Sequence, residues 1–316
     1  MKDSIDRFFE GALTLEEAAS AVDPLAVMPY ADPEIIKPLR EKPYVETEPA
    51  KVFDNVYFVG TDLVGSFIID TEGSGLIMLD CGWGTFDCRV MVSGMRKLGL
   101  DPSDIKAVIV SHEHGDHYGG VNYLLEEVCP DAKIIFGLAG WNFLQTVPTE
   151  FAYTLPRPKK ADVFLTDGEK FKVGGYPMMA VFTPGHSPGC LSFIFPVRYQ
   201  GEWLMAGLMG GTGIWPDRTM IRQYAASIEY FKRFTDAAGC EAGLGVHQPA
   251  AVIDKVRKAS GREDHPWIFG KEGFDREYLE NYRNRVRTAL ACEDVPPYMM
   301  GISPVTGRAV PERFED

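Results

Sequence analysis

The sequence predicts an α/β protein built from two sheets covered by helices on their outer faces. Three observations point there. Short β-rich runs alternate with a few amphipathic helical segments over residues 52 to 246. The strands come in two batches separated by helices, the order expected when layers stack around one core. Five of the six histidines fall at the ends of predicted strands, where loops gather chemistry.

Residues 1 to 50 read as an N-terminal arm. Its helical signal is Thr14-Leu15-Glu16-Glu17, a capping-box pattern leading into Ala18 to Val22, followed by prolines at 24, 29, 33, 38, 43 and 49. From Val52 the texture becomes β. Val56 to Val59, Ser66 to Ile69 and Leu76 to Leu79, separated by glycine-containing turns, predict an antiparallel meander. Phe86 to Leu98 predicts a helix, with Val90, Met91, Met95 and Leu98 on one face and Gly99 as its stop. A strand follows at Lys106 to Val110. Val121 to Val128 reads as helical and Lys133 to Phe136 as a strand. The aromatic and proline-bearing stretch Trp141 to Pro158 reads as a loop over a site, with Trp141, Phe143, Phe151 and Tyr153 as an apolar lid. Strands are expected at Val163 to Leu165, Phe171 to Val173, Met178 to Phe182, Leu191 to Phe195, Trp203 to Ala206 and Ala242 to Val246. An amphipathic helix spans Gln223 to Ala238 through Tyr224, Ile228, Phe231 and Phe234. Residues 51 to 250 thus form the main domain, and 251 to 316 a C-terminal extension with a charged helix around Arg276 to Leu290 and a proline-rich tail.

Composition excludes several classes. With 32 Lys and Arg against 45 Asp and Glu, the formal net charge of −13 leaves no broad basic surface for nucleic acid. The longest apolar stretch, Trp203 to Gly211, is far shorter than the ~18 residues of a membrane-spanning helix. The start, Met1-Lys2-Asp3-Ser4-Ile5-Asp6, lacks the basic charge and apolar core of a signal peptide, so the expected location is cytoplasmic. The six cysteines, 81, 88, 129, 190, 240 and 292, include no CxxC pair and read as buried small hydrophobes. The terminal segments are expected to pack across the surface or onto a second subunit, giving a homodimer. The expected partner is a small-molecule substrate.

The chemistry concentrates in Ser111-His112-Glu113-His114-Gly115-Asp116-His117, four candidate metal ligands in six positions at the end of a strand. Imidazole nitrogen and carboxylate oxygen are donors that zinc takes, and Gly115 lets the loop turn them inward. His186 and His247, each after a β run, raise the set to six: enough for two ions with three ligands each and open positions for water. The helical His-Glu-x-x-His zinc motif is excluded, since position 116 is Asp and a strand precedes the run.

This run, the strand end Leu79-Asp80-Cys81-Gly82 and Thr183-Pro184-Gly185-His186 resemble the metallo-β-lactamase superfamily over roughly residues 50 to 250. The resemblance implies a four-layer αβ/βα sandwich with a dinuclear metal site in the crevice between the sheets. It implies that His112, His114 and His186 hold one zinc and Asp116, His117 and His247 a second. Asp80 would support the metal loop without binding metal. Glyoxalase II, lactonases and tRNA-processing nucleases of this superfamily carry a bridging Asp after the second His motif, yet residues 203 to 216 contain no Asp, Glu, His or Cys. The remaining set is similar to the third subclass of metallo-β-lactamases, three His on one zinc and Asp, His, His on the other.

The implied function is a zinc-dependent hydrolase that cleaves an amide, lactam, lactone or ester bond of a small molecule with hydroxide generated at the metal. An authentic β-lactamase and an iron-dependent oxidoreductase on the same fold are the alternatives. Asp116 is the expected catalytic group, orienting the hydroxide and passing its proton to the leaving group. Tyr118 is a candidate oxyanion donor, weighed against simple packing. Thr212 is a loose candidate for docking a substrate carboxylate. Trp83 and Trp215 are candidates for lining the crevice mouth, Cys190 reads as a buried neighbour, and His265 as a surface histidine with an acidic partner.

Overall fold

The computed structural model describes residues 2–10, 13–14, 45–146, 156–214 and 218–291. Two mixed sheets face each other. The first contains β2 (Glu46–Phe53), β3 (Val56–Thr61), β4 (Gly65–Asp70), β5 (Leu76–Leu79), β6 (Ile105–Val110), β7 (Lys133–Gly137) and β8 (Val163–Leu165) in that spatial order. Its β2 to β5 half is antiparallel, which is the expected meander, and its β5 to β8 half is parallel. The second sheet orders β1 (Leu13–Thr14), β9 (Lys170–Val173), β10 (Tyr176–Phe182), β11 (Leu191–Tyr199), β12 (Glu202–Leu208) and β13 (Cys240–Leu244).

Alternation along the strands assigns the layers. Phe67, Ile69, Ile77, Leu79, Ala107 and Ile109 point between the sheets, where they meet Phe171, Ala180, Phe193, Phe195, Leu204 and Leu244. Ile68, Met78, Val108 and Val110 face outward instead, under Met91, Val92 and Met95 of helix α2 (Gly84–Lys97). Strands covered on both faces read as continuous apolar runs, which is the texture of this sequence. The outer face of the second sheet is covered by α6 (Arg218–Ala238) and α9 (Glu280–Ala291), through Ile221, Ile228 and Phe231 of the first and Tyr282, Val286 and Ala289 of the second. Helix, sheet, sheet and helix make the expected four-layer αβ/βα sandwich.

Several short helices complete the connections: α1 (Lys2–Phe8), α3 (Gly115–Tyr118), α4 (Val121–Tyr123), α5 (Leu138–Thr146), α7 (Ala250–Lys258) and α8 (Gly270–Gly273). The expected helix over 121 to 128 continues past α4 as a wider π-helical turn, Leu124–Val128.

The terminal segments differ from the reading as arms. The boundary expected at residue 50 falls inside β2, and Leu13 and Thr14 pair with Phe171 and Lys172 at a sheet edge instead of opening a helix. Residues 15 to 22 of that expected helix lie outside the described residues. At the other end the boundary at 250 coincides with the first residue of α7, and α9 is an integral outer layer. Ile5, Phe9 and the apolar residues of α9 lie in the cluster on the outer face of the second sheet. No described helix is long and apolar enough to cross a membrane.

Candidate metal centre

The candidate ligands converge at the ends of strands from both sheets. β6 ends at Val110 and the chain then turns through the His112 to His117 run into α3. The turns after β10 and β13 bring in His186 and His247. Two triads result: His112, His114 and His186 in one, Asp116, His117 and His247 in the other, each with its ligand atoms within 4.8 Å of one another. All six expected ligands are therefore brought together, in the expected grouping.

The imidazoles of His112, His117, His186 and His247 are oriented by the hydrogen bond of their other nitrogen. His186 Nδ1 donates to the carbonyl of Gly213 at 2.8 Å and His247 Nδ1 to the carbonyl of Leu63 at 2.7 Å. A carbonyl only accepts, so both rings carry their proton on Nδ1 and leave Nε2 bare. Ser111 Oγ donates to Asp80 Oδ2 at 2.8 Å, and therefore accepts from His112 Nδ1 at 3.0 Å. His117 Nδ1 donates to Asp80 Oδ2 at 2.8 Å. His114 differs, turning Nδ1 toward His112 Nε2 at 3.1 Å.

This pattern supplies the test of whether a metal fits. His112 Nε2 and His186 Nε2 face each other at 3.1 Å, and both have given their proton side to another partner. Two bare lone pairs at that distance repel unless a cation lies among them. Burial, reinforced by the neighbouring imidazoles, lowers His112 and His114 well below the usual histidine value, and burial takes His186 down to about 4, so this triad stays neutral. A neutral three-nitrogen set is what a divalent ion takes.

The second triad is charged differently. Burial opposes ionisation of Asp116, but His117, His247 and His114 outweigh it and hold the carboxyl well below the usual range. Burial likewise opposes charge on His117, while Asp116 and Asp80 lift its imidazole to about 10. Its Nε2 lies 3.4 Å from Asp116 Oδ2 and 3.3 Å from His247 Nε2. A proton among these three atoms stands where a metal ion belongs.

The support around the ligands was only partly foreseen. Asp80 takes the expected role: fully buried, at φ +62°, it accepts from Ser111 N at 2.7 Å as well as from Ser111 Oγ and His117. Unforeseen are Ser111, the carbonyls of Leu63 and Gly213, Glu113, and Arg285 of α9. Arg285 is 2% exposed and donates from Nη1 to the Thr212 carbonyl at 2.8 Å, bracing the loop whose Gly213 orients His186. Gly211, at φ +68°, lies against the His186 ring, where a Cβ would stand 2.4 Å from Cδ2. The sequence signals for these residues were faint: an odd residue between two ligands, a glycine pair and an isolated arginine.

Other expectations are corrected. Tyr118 is 1% exposed and packs in the outer apolar cluster with Cys81, Cys88 and Val121, the position of a core residue and not of an oxyanion donor. Trp141 stacks against Phe136 and Phe164, at ring distances of 5.5 and 5.7 Å, because α5 docks it onto the first sheet; it is no lid. Phe143 is likewise buried in α5, while Phe151, Tyr153 and Trp215 lie outside the described residues. His265 is buried, with Nε2 donating to the Val52 carbonyl at 3.0 Å and its ring against Phe53 and Tyr199. The acidic partner expected from its neighbours instead serves the backbone: Asp264 accepts from Ser260 and Gly261. Thr212 is buried and Trp83 half-buried. The five described cysteines are buried and free, as expected, and Cys190 lies beside Ser187 as a neighbour of the site.

A four-layer sandwich carrying a double triad of this kind at its sheet ends defines the metallo-β-lactamase fold. The family model described as the metallo-beta-lactamase superfamily matches residues 59–198, and the chain has the fold of that superfamily. The chain is 30% identical over 205 residues to a hydroxyacylglutathione hydrolase of Francisella tularensis subsp. novicida, covering 61% of this chain and 64% of that protein. It is 30% identical over 181 residues to an atrochrysone carboxyl ACP thioesterase of Cryptosporiopsis sp., covering 57% and 45%. The chain thus spans about half to two thirds of the length of these curated relatives. Among solved structures, a subclass B3 metallo-beta-lactamase of Bradyrhizobium japonicum superposes with a TM-score of 0.64 at 23% identity, over 79% of this chain and 95% of that one.

Proposed function

We propose that the protein is a dinuclear zinc hydrolase that cleaves an acyl bond of a small molecule, with thioesters as the leading substrate class beside amides, lactams, lactones and esters. The observation that carries this reading is the pair of facing lone pairs on His112 and His186, with the donor atoms of Asp116, His117 and His247 gathered in a second triad beside it. Two three-ligand sets side by side leave coordination free for water and substrate, as catalytic sites do. Two curated relatives named for acyl-group hydrolysis support the thioester as first choice.

When bound, a zinc pair supplies an acidified water as nucleophile at neutral pH and polarises the substrate carbonyl. The chain's own residues do the rest. Asp116, ionised and 15% exposed at its side chain, borders both the second triad and the opening, so it accepts the proton of the attacking water and returns it to the leaving group. Leu63, Gly213, Ser111 and Asp80 hold the imidazoles so that no rotation is needed during the reaction. The apolar core between the sheets keeps bulk water from the rear of the site.

A second reading, β-lactam cleavage, is favoured by one observation. Residues 203 to 216, through β12 and the segment after it, hold no carboxylate that could bridge two ions, and the remaining candidate ligand set is similar to that of the third β-lactamase subclass.

The deciding experiment combines elemental analysis of protein purified without chelators with a hydrolysis panel: an S-acyl glutathione, an S-acyl pantetheine, a lactone, an aryl ester and a chromogenic cephalosporin. About two zinc per chain with thioester turnover supports the proposal. Cephalosporin turnover that exceeds all others moves the protein to the second reading. Iron in place of zinc points to redox chemistry, and absence of metal overturns the proposal.

A further inference from the structure

Glu113 stands between two ligands, His112 and His114, but faces the other way. The chain bends through 111 to 114, and while His112 and His114 enter the site, Glu113 leaves the run toward the turn after His186. There the carboxylate is wholly buried. Its Oε1 accepts from Gly189 N at 3.0 Å and its Oε2 from Ser187 Oγ at 3.1 Å. Both donors belong to the turn that follows His186. The carboxylate therefore ties the two chain segments that furnish the first triad.

The surroundings are shaped to admit it. Gly140 of α5 and Gly189 cross so closely that a Cβ on Gly189 would lie 2.2 Å from Gly140 Cα and 2.5 Å from Glu113 Oε2. A Cβ on Gly140 would stand 3.0 Å from the same oxygen. Neither glycine has a positive φ, so each is needed for close approach and not for backbone conformation.

The buried Glu113 oxygens are held by the Gly189 amide and the Ser187 hydroxyl, and among the described residues no Lys or Arg bridges to them.

We propose that Glu113 is a positioning residue of the three-histidine site, fixing the His112–His114 run against the His186 turn. The proposal rests on the reading of the triads as metal sites. Its test uses chelator-stripped protein titrated with zinc against a chromophoric chelator, in two backgrounds. His247→Ala leaves the three-histidine site as the binder, and His186→Ala leaves the other triad. Outer groups of this kind contribute about 10–100-fold in metal affinity. Glu113→Gln is expected to weaken zinc about 10–100-fold in the His247→Ala background and to change it by about threefold or less in the His186→Ala background. Cobalt in the three-histidine site is expected to show a shifted visible spectrum. Equal affinity for Glu113→Gln and its parent in the His247→Ala background overturns the proposal. So do equal losses in both backgrounds with a lowered melting temperature of the metal-free protein, the mark of a fold-supporting role alone. Should Glu113→Gln fail to fold, Ser187→Ala decides: it keeps the charge but removes one tie, and an unchanged cobalt spectrum and zinc affinity overturns the proposal. Parent protein that binds no metal would refute the metal-site reading itself, a distinct result.

Discussion

Asp80 and His117 are 37 residues apart in sequence and joined by a buried 2.8 Å hydrogen bond, with the carboxylate also holding Ser111 and, through it, His112. One side chain at the end of β5 therefore orients a ligand in each triad. Asp80→Asn keeps the shape but removes the charge. It is expected to weaken metal binding by about 10–100-fold at the Asp116, His117 and His247 triad, with a smaller loss at the three-histidine site. Competitive zinc titration measures both; an unaltered second affinity would refute this role.

Asp116 is the residue whose chemistry and ligation separate most cleanly. Asp116→Asn retains an oxygen donor but cannot take a proton. Turnover is expected to fall about 10²–10⁴-fold while the three-histidine site stays filled. Single-turnover rates on metal-quantified protein give the answer, and a rate within a fewfold of the parent would remove Asp116 from proton transfer.

The two triads respond to pH with the same sign but over different ranges. The raised His117 value means that its imidazolium is present at neutral pH in the metal-free protein and must lose a proton when a cation enters. Second-site binding should release about one proton, and its affinity should fall about tenfold for each pH unit below about 10. The lowered values of His112, His114 and His186 mean that the first triad is already deprotonated near pH 7, so its binding releases no proton there. Calorimetric titration in buffers of different ionisation enthalpy separates the two; identical proton counts at both sites would contradict the assignment.

Gly211 is expected to resist substitution, as is Gly210, whose Cβ would stand 2.0 Å from the Leu191 carbonyl oxygen. Gly211→Ala combines a backbone at φ +68° with a Cβ pressed into the His186 ring. The backbone alone costs roughly 1–2 kcal/mol, and the ring must also shift. Loss of first-site metal together with a lower melting temperature is the expected result. Gly73, at φ +136° with open space around it, serves as the comparison that leaves metal binding intact.

Metal removal should destabilise the fold as well as stop the reaction, because the triads join loops from both sheets. At free zinc a thousandfold above the dissociation constant, each site adds about 4 kcal/mol, corresponding to a rise of roughly 10 °C in the melting temperature. Thermal unfolding with and without chelator reads this directly. Equal melting temperatures would mean that the triads take no metal.

Much of the fold was legible because its physical signals are local. Strands buried on both faces write themselves as apolar runs such as Ile105 to Val110, and α6 carries a clear apolar stripe. The meander, the central helix and both sheets follow from such segments. The edges were not legible: β1 is two residues long and gains its pairing from Phe171, some 158 positions away. α7 was missed for a similar reason, since its nine residues form against Val52 and Trp267 and not by propensity alone.

The site divides along the same line. The sequence by itself singled out the six candidate ligands, because zinc-type donors are rare side chains and four of them crowd into six positions, and the family resemblance implied their grouping. Only the tertiary structure decided what holds them. The carbonyls of Leu63 and Gly213 select the tautomers of His247 and His186 across 184 and 27 residues, and a backbone carbonyl has no residue identity to read. It also sent Tyr118 and His265 into cores rather than to the opening or the surface, and turned Glu113 from a spacer into a tie between loops. Those outcomes depend on which face of a strand is covered and by what, a property of packing that no single stretch of chain contains.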